Sequence, residues 1–104
     1  MSENEFTAQV IRYAHLLGWR VAHFRPGRTA RGWRTPVEGD GAGFPDLVLV
    51  KGRRLIVAEL KVAGRKPTPA QLAWARSFED AGVSYHLWTP ERWPDIEALL
   101  QGLT

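Results

Sequence analysis

Two carboxylates and an amine lie on neighbouring predicted strands, where together they could form a hydrolytic metal site. Asp46 opens one apolar, β-branched run over residues 46–50. Glu59 and Lys61 close a second run of the same kind, over residues 55–61. The four residues between the runs, Lys-Gly-Arg-Arg, are typical of a tight turn. The sequence therefore predicts an antiparallel hairpin that carries all three side chains.

The predicted turn also sets which residues face each other. If it centres on Gly52 and Arg53, counting back in pairs brings Asp46 directly opposite Glu59. Opposed residues lie roughly 5 Å apart at Cβ, and two like charges at that distance destabilise a sheet. Because side chains alternate along a strand, Lys61 shares the face of Glu59. This geometry requires a cation between the carboxylates, or a proton on one of them.

Hard carboxylate oxygens suit Mg²⁺ or Mn²⁺, which keep several waters and bind substrate phosphates. Lys61 could position or activate one of those waters. The alternative is a solvated polar strand end, in which Asp46 merely opens a strand. The apolar flanks favour a site, since buried charges are seldom left without a partner.

Composition predicts one small domain over residues 1–104. A 44% share of hydrophobic residues suffices for a single core, and the absence of Cys excludes disulfide and thiolate chemistry. The first residues lack a signal-peptide pattern, and no run is long enough to span a membrane, so we expect a cytoplasmic protein. A net charge of +3, with Arg outnumbering Lys, favours phosphate-bearing partners. No protein partner can be identified from the sequence.

Helical and alternating apolar patterns predict an α/β fold in the order αβββαβα, with a mixed sheet of about four strands flanked by helices. The connection between the strands ending at Leu60 and beginning at Val83 passes through one helix, which favours a parallel pair. The predicted elements are a helix over 2–17, strands over 19–24, 46–50 and 55–61, a helix from 69 to 81, a strand over 83–88 and a closing helix from 93.

Two polar residues at helix starts have two interpretations each. Glu5 completes a capping box with Ser2, but it also borders the apolar stripe of its helix and could reach Asp46 as a further metal ligand. Gln71 completes a capping box with Thr68, but it could equally hold a water or a phosphate oxygen at the helix start.

A basic loop rich in Gly and Arg is predicted over residues 25–43, directly before Asp46. Its arginines could hold a phosphate backbone, and Trp33 could stack on a base; alternatively, the loop is simply solvated and the Trp packs on the fold. Arg65 and Lys66 form a second basic turn. The candidate DNA-binding residues are therefore Arg25, Arg28, Arg31, Arg34, Arg65 and Lys66.

Nearly the whole chain resembles the PD-(D/E)XK nuclease superfamily, most closely the small standalone VRR-NUC (virus-type replication-repair nuclease) proteins of phages and bacteria. Asp46 with Glu59-Leu-Lys61 alone is a weak motif, and the ordered set is more specific. That set is Glu5, Gly18-Trp19, Gly43-Phe-Pro-Asp46, Glu59-Leu-Lys61, Gln71 and the aromatic strand near Trp88.

The resemblance implies a restriction-endonuclease-like core and Mg²⁺- or Mn²⁺-dependent hydrolysis of DNA phosphodiester bonds. By position, Asp46 and Glu59 would be metal ligands together with the Leu60 backbone carbonyl. Lys61 would orient or deprotonate the attacking water. These are expectations from the resemblance.

The resemblance further implies that Glu5 and Gln71 support catalysis, with Glu5 as a further metal ligand. It implies a homodimeric endonuclease of replication, recombination or repair, acting in some relatives on branched DNA, in a bacterial or phage-infected cell. The alternative is an inactive nucleic-acid-binding accessory module with the same fold.

Overall fold

A computed structural model describes residues 1–24, 27–29, 32–34 and 38–103, with the backbone alone described at 27–29 and 32–34. Its helices are α1 (Glu3–Leu16), α2 (Pro69–Asp80) and α3 (Trp93–Gln101), the last preceded by a 3-10 turn (Pro90–Arg92). Its strands are β1 (Arg20–His23), β2 (Gly27–Thr29), β3 (Gly32–Arg34), β4 (Leu47–Lys51), β5 (Arg54–Leu60) and β6 (Ser84–Trp88).

Within the described residues, four strands form one mixed sheet in the order β1-β4-β5-β6. The pairs β1–β4 and β4–β5 are antiparallel, and β6 is parallel to β5 after the α2 crossover. The mixed α/β architecture and the predicted parallel neighbour are thus confirmed. The crossover of more than twenty residues, with α2 inside it, is long enough to return the chain in the same direction.

The hydrophobic core lies on one face of this sheet. Leu47, Leu49, Ile56, Ala58 and Leu60 alternate along β4 and β5 and are fully or almost fully buried. They pack against the apolar stripe of α1 and the buried residues of α3, which are Phe6, Val10, Ala14, Ile96 and Leu100. Because side chains alternate, the residues between them, Glu59 included, point to the opposite face.

Helix α2 covers part of that opposite face. Phe78 of α2 stacks on Tyr85 of β6 with ring centroids 6.2 Å apart, and Gln71 of α2 bonds Glu59 of β5. No residue of α2 is buried. The helix therefore contacts the face that carries the candidate carboxylates without burying any of its own side chains.

The prediction of an irregular loop over 25–43 is wrong at two short stretches. Strands β2 and β3 pair antiparallel, with Arg28 opposite Trp33. Thr and Trp favour strands, but a three-residue strand is too short to show an alternating pattern in the sequence.

No helix in the described ranges has the length and apolar character needed to cross a membrane.

Candidate metal and nuclease site

The β4–β5 hairpin places Asp46 opposite Glu59, as the sequence predicts. Lys51 pairs with Arg54 and Leu47 with Ala58, so the next step in the same register joins Asp46 to Glu59. The Oδ2 atom of Asp46 accepts a hydrogen bond from the Leu60 amide at 2.8 Å. Its carbonyl accepts another from the Phe24 amide, also at 2.8 Å. Asp46 is thus held to two strands, through its backbone and its side chain.

Glu59 is a buried carboxylate, and one of its oxygens is unpaired within the described part of the chain. The residue is only 2% exposed, between Ala58 and Leu60, which are fully buried. Its Oε2 accepts a hydrogen bond from Gln71 Nε2 at 3.0 Å and lies 3.6 Å from Lys61 Nζ. Its Oε1 is buried and has no hydrogen-bond partner among the residues that the structure describes. Buried polar atoms are nearly always paired, so an unpaired carboxylate oxygen points to a missing ligand.

Electrostatics also point to a missing positive charge. Burial, and then repulsion by the Asp46 carboxylate, raise the pKa of Glu59 to about 8, although the Lys61 ammonium acts in the opposite direction. Without a further cation, this environment therefore favours the neutral form of Glu59. A divalent ion beside the two carboxylates would favour the ionised form, because an opposite charge at short range lowers a carboxyl pKa.

Gln71 has the capping role that the sequence predicts, and it also bonds Glu59, a contact that was not predicted; its holding of a water or a phosphate oxygen stays a prediction. Its Oε1 accepts a hydrogen bond from the Thr68 amide at 2.8 Å, and its own amide donates to the Thr68 hydroxyl at 3.2 Å. This completes the capping box of α2. At the same time its Nε2 donates to Glu59. The start of α2 is therefore hydrogen-bonded directly to the candidate site.

Glu5 is the corresponding residue of α1, and the structure confirms its capping role. It exchanges hydrogen bonds of 3.0 Å with Ser2 in both directions, and its side chain is exposed. These bonds lower the pKa of Glu5. Nowhere in the described chain do three or more His, Cys, Asp or Glu residues form a group that could hold a metal. Glu5 thus does not join Asp46 and Glu59, and a catalytic role for it stays a prediction.

Gly43 is more tightly constrained than its place in a motif suggests. Its φ is +78°, and a Cβ at this position would lie 2.5–2.7 Å from backbone atoms of Ala70 and Gln71. Only glycine therefore lets the segment before Asp46 approach the first turn of α2. This contact holds the segment that leads to Asp46 against the start of α2, where Gln71 bonds Glu59.

A chain of aromatic rings supports the same segment. Phe44 makes edge contacts with Phe24, Trp74 and Phe78, at centroid distances of 5.2, 5.1 and 6.1 Å. The Trp74 indole also donates to the Asp40 carbonyl at 2.9 Å. No sequence pattern indicated this cluster, because its members come from α2 and from two connecting segments that are far apart in the chain.

Tyr85 is a further residue near the site that the sequence analysis missed. Burial raises its pKa to about 12, and the carboxylates of Glu59 and Asp46 contribute to the shift. Leu87 pairs with Glu59, so Tyr85, two residues earlier in the parallel strand, shares the face of Glu59. The parallel β5–β6 prediction contained the signal that could have located it.

For the other predicted site residues, the described part of the structure shows no contact that tests the predicted role. Leu60 uses its amide on Asp46, and a role for its carbonyl as a metal ligand stays a prediction. Arg65 and Lys66 are exposed in the turn after β5, where the Arg65 amide bonds the Val62 carbonyl at 3.1 Å. Arg28 and Arg34 lie on β2 and β3, but their side chains, like that of Trp33, fall outside the described part. Arg25 and Arg31 lie outside the described residues altogether.

The residues at this site fit Mg²⁺ or Mn²⁺. Both ions prefer hard oxygen ligands, and Asp46 and the unpaired oxygen of Glu59 provide them at the same end of one hairpin. Comparison with known proteins gives this chain no family: no family model matches it, and no curated protein matches it either.

Proposed function

We propose that this protein is a Mg²⁺- or Mn²⁺-dependent nuclease that hydrolyses phosphodiester bonds in DNA, with the PD-(D/E)XK arrangement of the VRR-NUC type. One observation carries the proposal. Glu59 is buried opposite Asp46, has an unpaired oxygen, and lies beside an amine. A purely structural glutamate would be costly in this position, because burial of an incompletely paired carboxylate opposes folding.

Asp46 and Glu59 would hold the divalent ion, with the Leu60 carbonyl as a further ligand. When bound, such an ion neutralises phosphate oxygens and makes a bound water more acidic. Gln71 holds the Glu59 carboxylate in place through its 3.0 Å hydrogen bond. The Asp46 side chain is held in the same way by the Leu60 amide.

Lys61 has the position required for the water-orienting role. Its side chain is 13% exposed, so it contacts both the buried carboxylate and the solvent-facing side of the site. From there its amine can donate a hydrogen bond to the attacking water. It can also stabilise the negative charge that develops on the phosphorane oxygens.

DNA is the proposed substrate because basic residues lie close in sequence to both strands of the site. Arg65 and Lys66 follow the catalytic strand by only a few residues and are exposed. The loop arginines at 25, 28, 31 and 34 would extend the same surface. The proposal also includes action on branched DNA and a homodimeric state. Only the family resemblance supports these two properties.

The test is a cleavage assay on linear, flapped and four-way DNA with Mg²⁺, Mn²⁺ or EDTA. We expect wild type to cut at least one substrate with a metal and none with EDTA. Asp46→Asn and Glu59→Gln should reduce cleavage to background. Lys61→Ala should reduce it by roughly 10²–10³-fold or more, since it removes a charge that acts on the transition state.

The matched control is Asp80→Asn, which removes an exposed carboxylate at the far end of α2 and should cut like wild type. Circular dichroism and DNA-binding measurements on each variant separate lost chemistry from lost folding. If folded wild type binds DNA but cuts none of the substrates with either metal, the protein is an accessory module and the nuclease proposal fails.

A further inference from the structure

A pocket lies between α2 and the segment 39–42, beside the candidate site. Its volume is about 510 Å³, which is typical of small-molecule sites, whose volumes span roughly 300–1,000 Å³. Ala70 lines the pocket, and the next residue, Gln71, bonds Glu59. We propose that this pocket binds an unpaired guanine base of the substrate strand. The inference rests on the proposed function, from which it takes DNA as the ligand, and adds to it the recognition of one base.

The walls of the pocket leave room for a flat ring. Most of its lining residues are small, and these are Gly39, Ala42, Ala70, Ala73 and Ser77. The three that belong to α2 lie three or four positions apart, so they share one face of the helix. Small side chains on both walls let a planar group approach the backbone closely.

Trp74 gives the pocket an aromatic ring that is already fixed in place. Its indole N–H donates to the Asp40 carbonyl at 2.9 Å, and its ring contacts Phe44 and Phe78 at centroid distances of 5.1 and 5.6 Å. Because the side chain is held before a ligand arrives, little conformational entropy is lost on binding. The indole N–H is used within the protein, so Trp74 would act through its ring, and aromatic rings bind nucleobases by stacking.

Asp40 determines which part of a nucleotide fits. This exposed acidic residue lines the pocket, and no Lys or Arg of the described ranges lines it. A phosphate would be repelled there, whereas the donor edge of a base would be attracted. A carboxylate accepts hydrogen bonds through two oxygens. Guanine is the DNA base that matches them with two adjacent donors, N1–H and the N2 amine, and its N1–H is accessible only when the base is unpaired.

The test measures DNA binding in EDTA, so that no cleavage interferes. Fluorescence anisotropy gives the affinity of the intact chain for a labelled oligothymidylate of about twelve nucleotides, with guanine, hypoxanthine or thymine at its centre. Hypoxanthine differs from guanine only in lacking the N2 amine. We expect the guanine oligonucleotide to bind roughly 5- to 100-fold more tightly than the thymine one, with hypoxanthine in between.

Two substitutions test whether the pocket is the source of this preference. Asp40→Asn replaces an acceptor oxygen with a donor, and Ala73→Leu fills the pocket from an exposed helix position. Each should bring the guanine and thymine affinities to within about twofold of each other. Asp80→Asn and Ala81→Leu make the same two changes at exposed positions at the end of α2, outside the pocket lining, and should keep the preference. Circular dichroism confirms that each variant is folded.

The outcomes separate this inference from the proposed function, because cleavage is measured independently. Equal affinity of wild type for the guanine and thymine oligonucleotides would overturn the guanine pocket and leave the nuclease proposal intact. A preference that survives both Asp40→Asn and Ala73→Leu, or one that is also lost in the two controls, would do the same. A preference that only the pocket substitutions abolish, in a chain that cuts no DNA, would support the pocket and reject the nuclease.

Discussion

The first turns of α1 and α2 are built alike, yet only one of them is joined to the candidate site. Both helices begin with a complete capping box, Ser2 with Glu5 and Thr68 with Gln71. At α1 the carboxylate is exposed and, within the described ranges, bonds Ser2 alone. At α2 the amide also donates to the buried Glu59.

The difference comes from the chemistry of the capping side chain. A glutamate has acceptors only, so once it accepts the backbone amide it has nothing to donate. A glutamine accepts through Oε1 and still has an Nε2 donor for a carboxylate behind the helix. The same sequence motif can therefore be a cap alone or a cap that also holds a buried carboxylate. The type of the capping residue and its surroundings together decide which.

The largest effect should come from a substitution that pushes the start of α2 away from the segment before Asp46, because this removes what distinguishes α2 from α1. Gly43→Ala should cost about 3–5 kcal/mol of unfolding free energy, because it adds a backbone clash to a left-handed φ. Urea unfolding followed by tryptophan fluorescence measures it. Gly39→Ala is the matched control: its φ is +70° but its Cβ would meet nothing within 4 Å, so we expect only about 1–2 kcal/mol. Equal losses would show that the α2 contact contributes nothing.

Exchanging the two capping residues tests the comparison directly. Gln71→Glu keeps the capping box but replaces the donor to Glu59 with a repelling carboxylate. We expect a loss of about 1–3 kcal/mol of stability and a 10- to 100-fold drop in metal affinity or cleavage. Glu5→Gln keeps the capping box of α1, so stability and cleavage should both stay near the wild-type values. A tenfold loss of cleavage in Glu5→Gln would instead restore Glu5 to the catalytic group.

The two glutamates should also respond to pH in opposite directions. Folding raises the pKa of Glu59 from 4.5 to about 8, so the folded state binds more protons in that interval. Metal-free stability should therefore fall as pH rises from about 4.5 to about 8, by at most about 1.4 kcal/mol per pH unit, and then level off. Folding lowers the pKa of Glu5, so its stabilising effect is lost only as pH falls below its usual range.

Unfolding curves from pH 4 to pH 9 measure this dependence, with Glu59→Gln as the control. The glutamine variant should lose most of the slope above pH 5. A variant whose slope matched that of wild type would show that Glu59 is not the group that titrates. Added Mg²⁺ should stabilise wild type most at high pH, where the ion binds an already ionised site.

The smallest effects should come from the capping hydroxyls. Ser2→Ala and Thr68→Ala each remove one side-chain bond at a helix start, and each should cost about 1 kcal/mol in thermal or urea unfolding. The DNA-cleavage assay distinguishes the two variants. Thr68→Ala should lower it several-fold, since Gln71 loses a fixed partner, whereas Ser2→Ala should leave it unchanged. Unchanged cleavage in both would mean that the Thr68 hydroxyl is not needed to hold Gln71 against Glu59.

Local pattern was enough to predict much of this molecule. The apolar runs around Lys51 and Arg54 and the turn between them specified the hairpin register, and that register alone placed Asp46 opposite Glu59. The capping boxes could be predicted because each depends on residues three apart in sequence, and the parallel crossover because one predicted helix separates its two strands. The short β2–β3 pair could not, since three residues carry too little periodicity.

The sequence by itself determined which side chains share a strand face, because alternation and turn geometry are local properties of the backbone. Only the tertiary structure decided that Glu59 is buried with an unpaired oxygen, and that Gly43 packs on the first turn of α2. It also decided that Gln71, but not Glu5, reaches the carboxylates. Burial, close approach and a hydrogen bond between distant elements depend on how helices pack on the sheet, which no local pattern specifies.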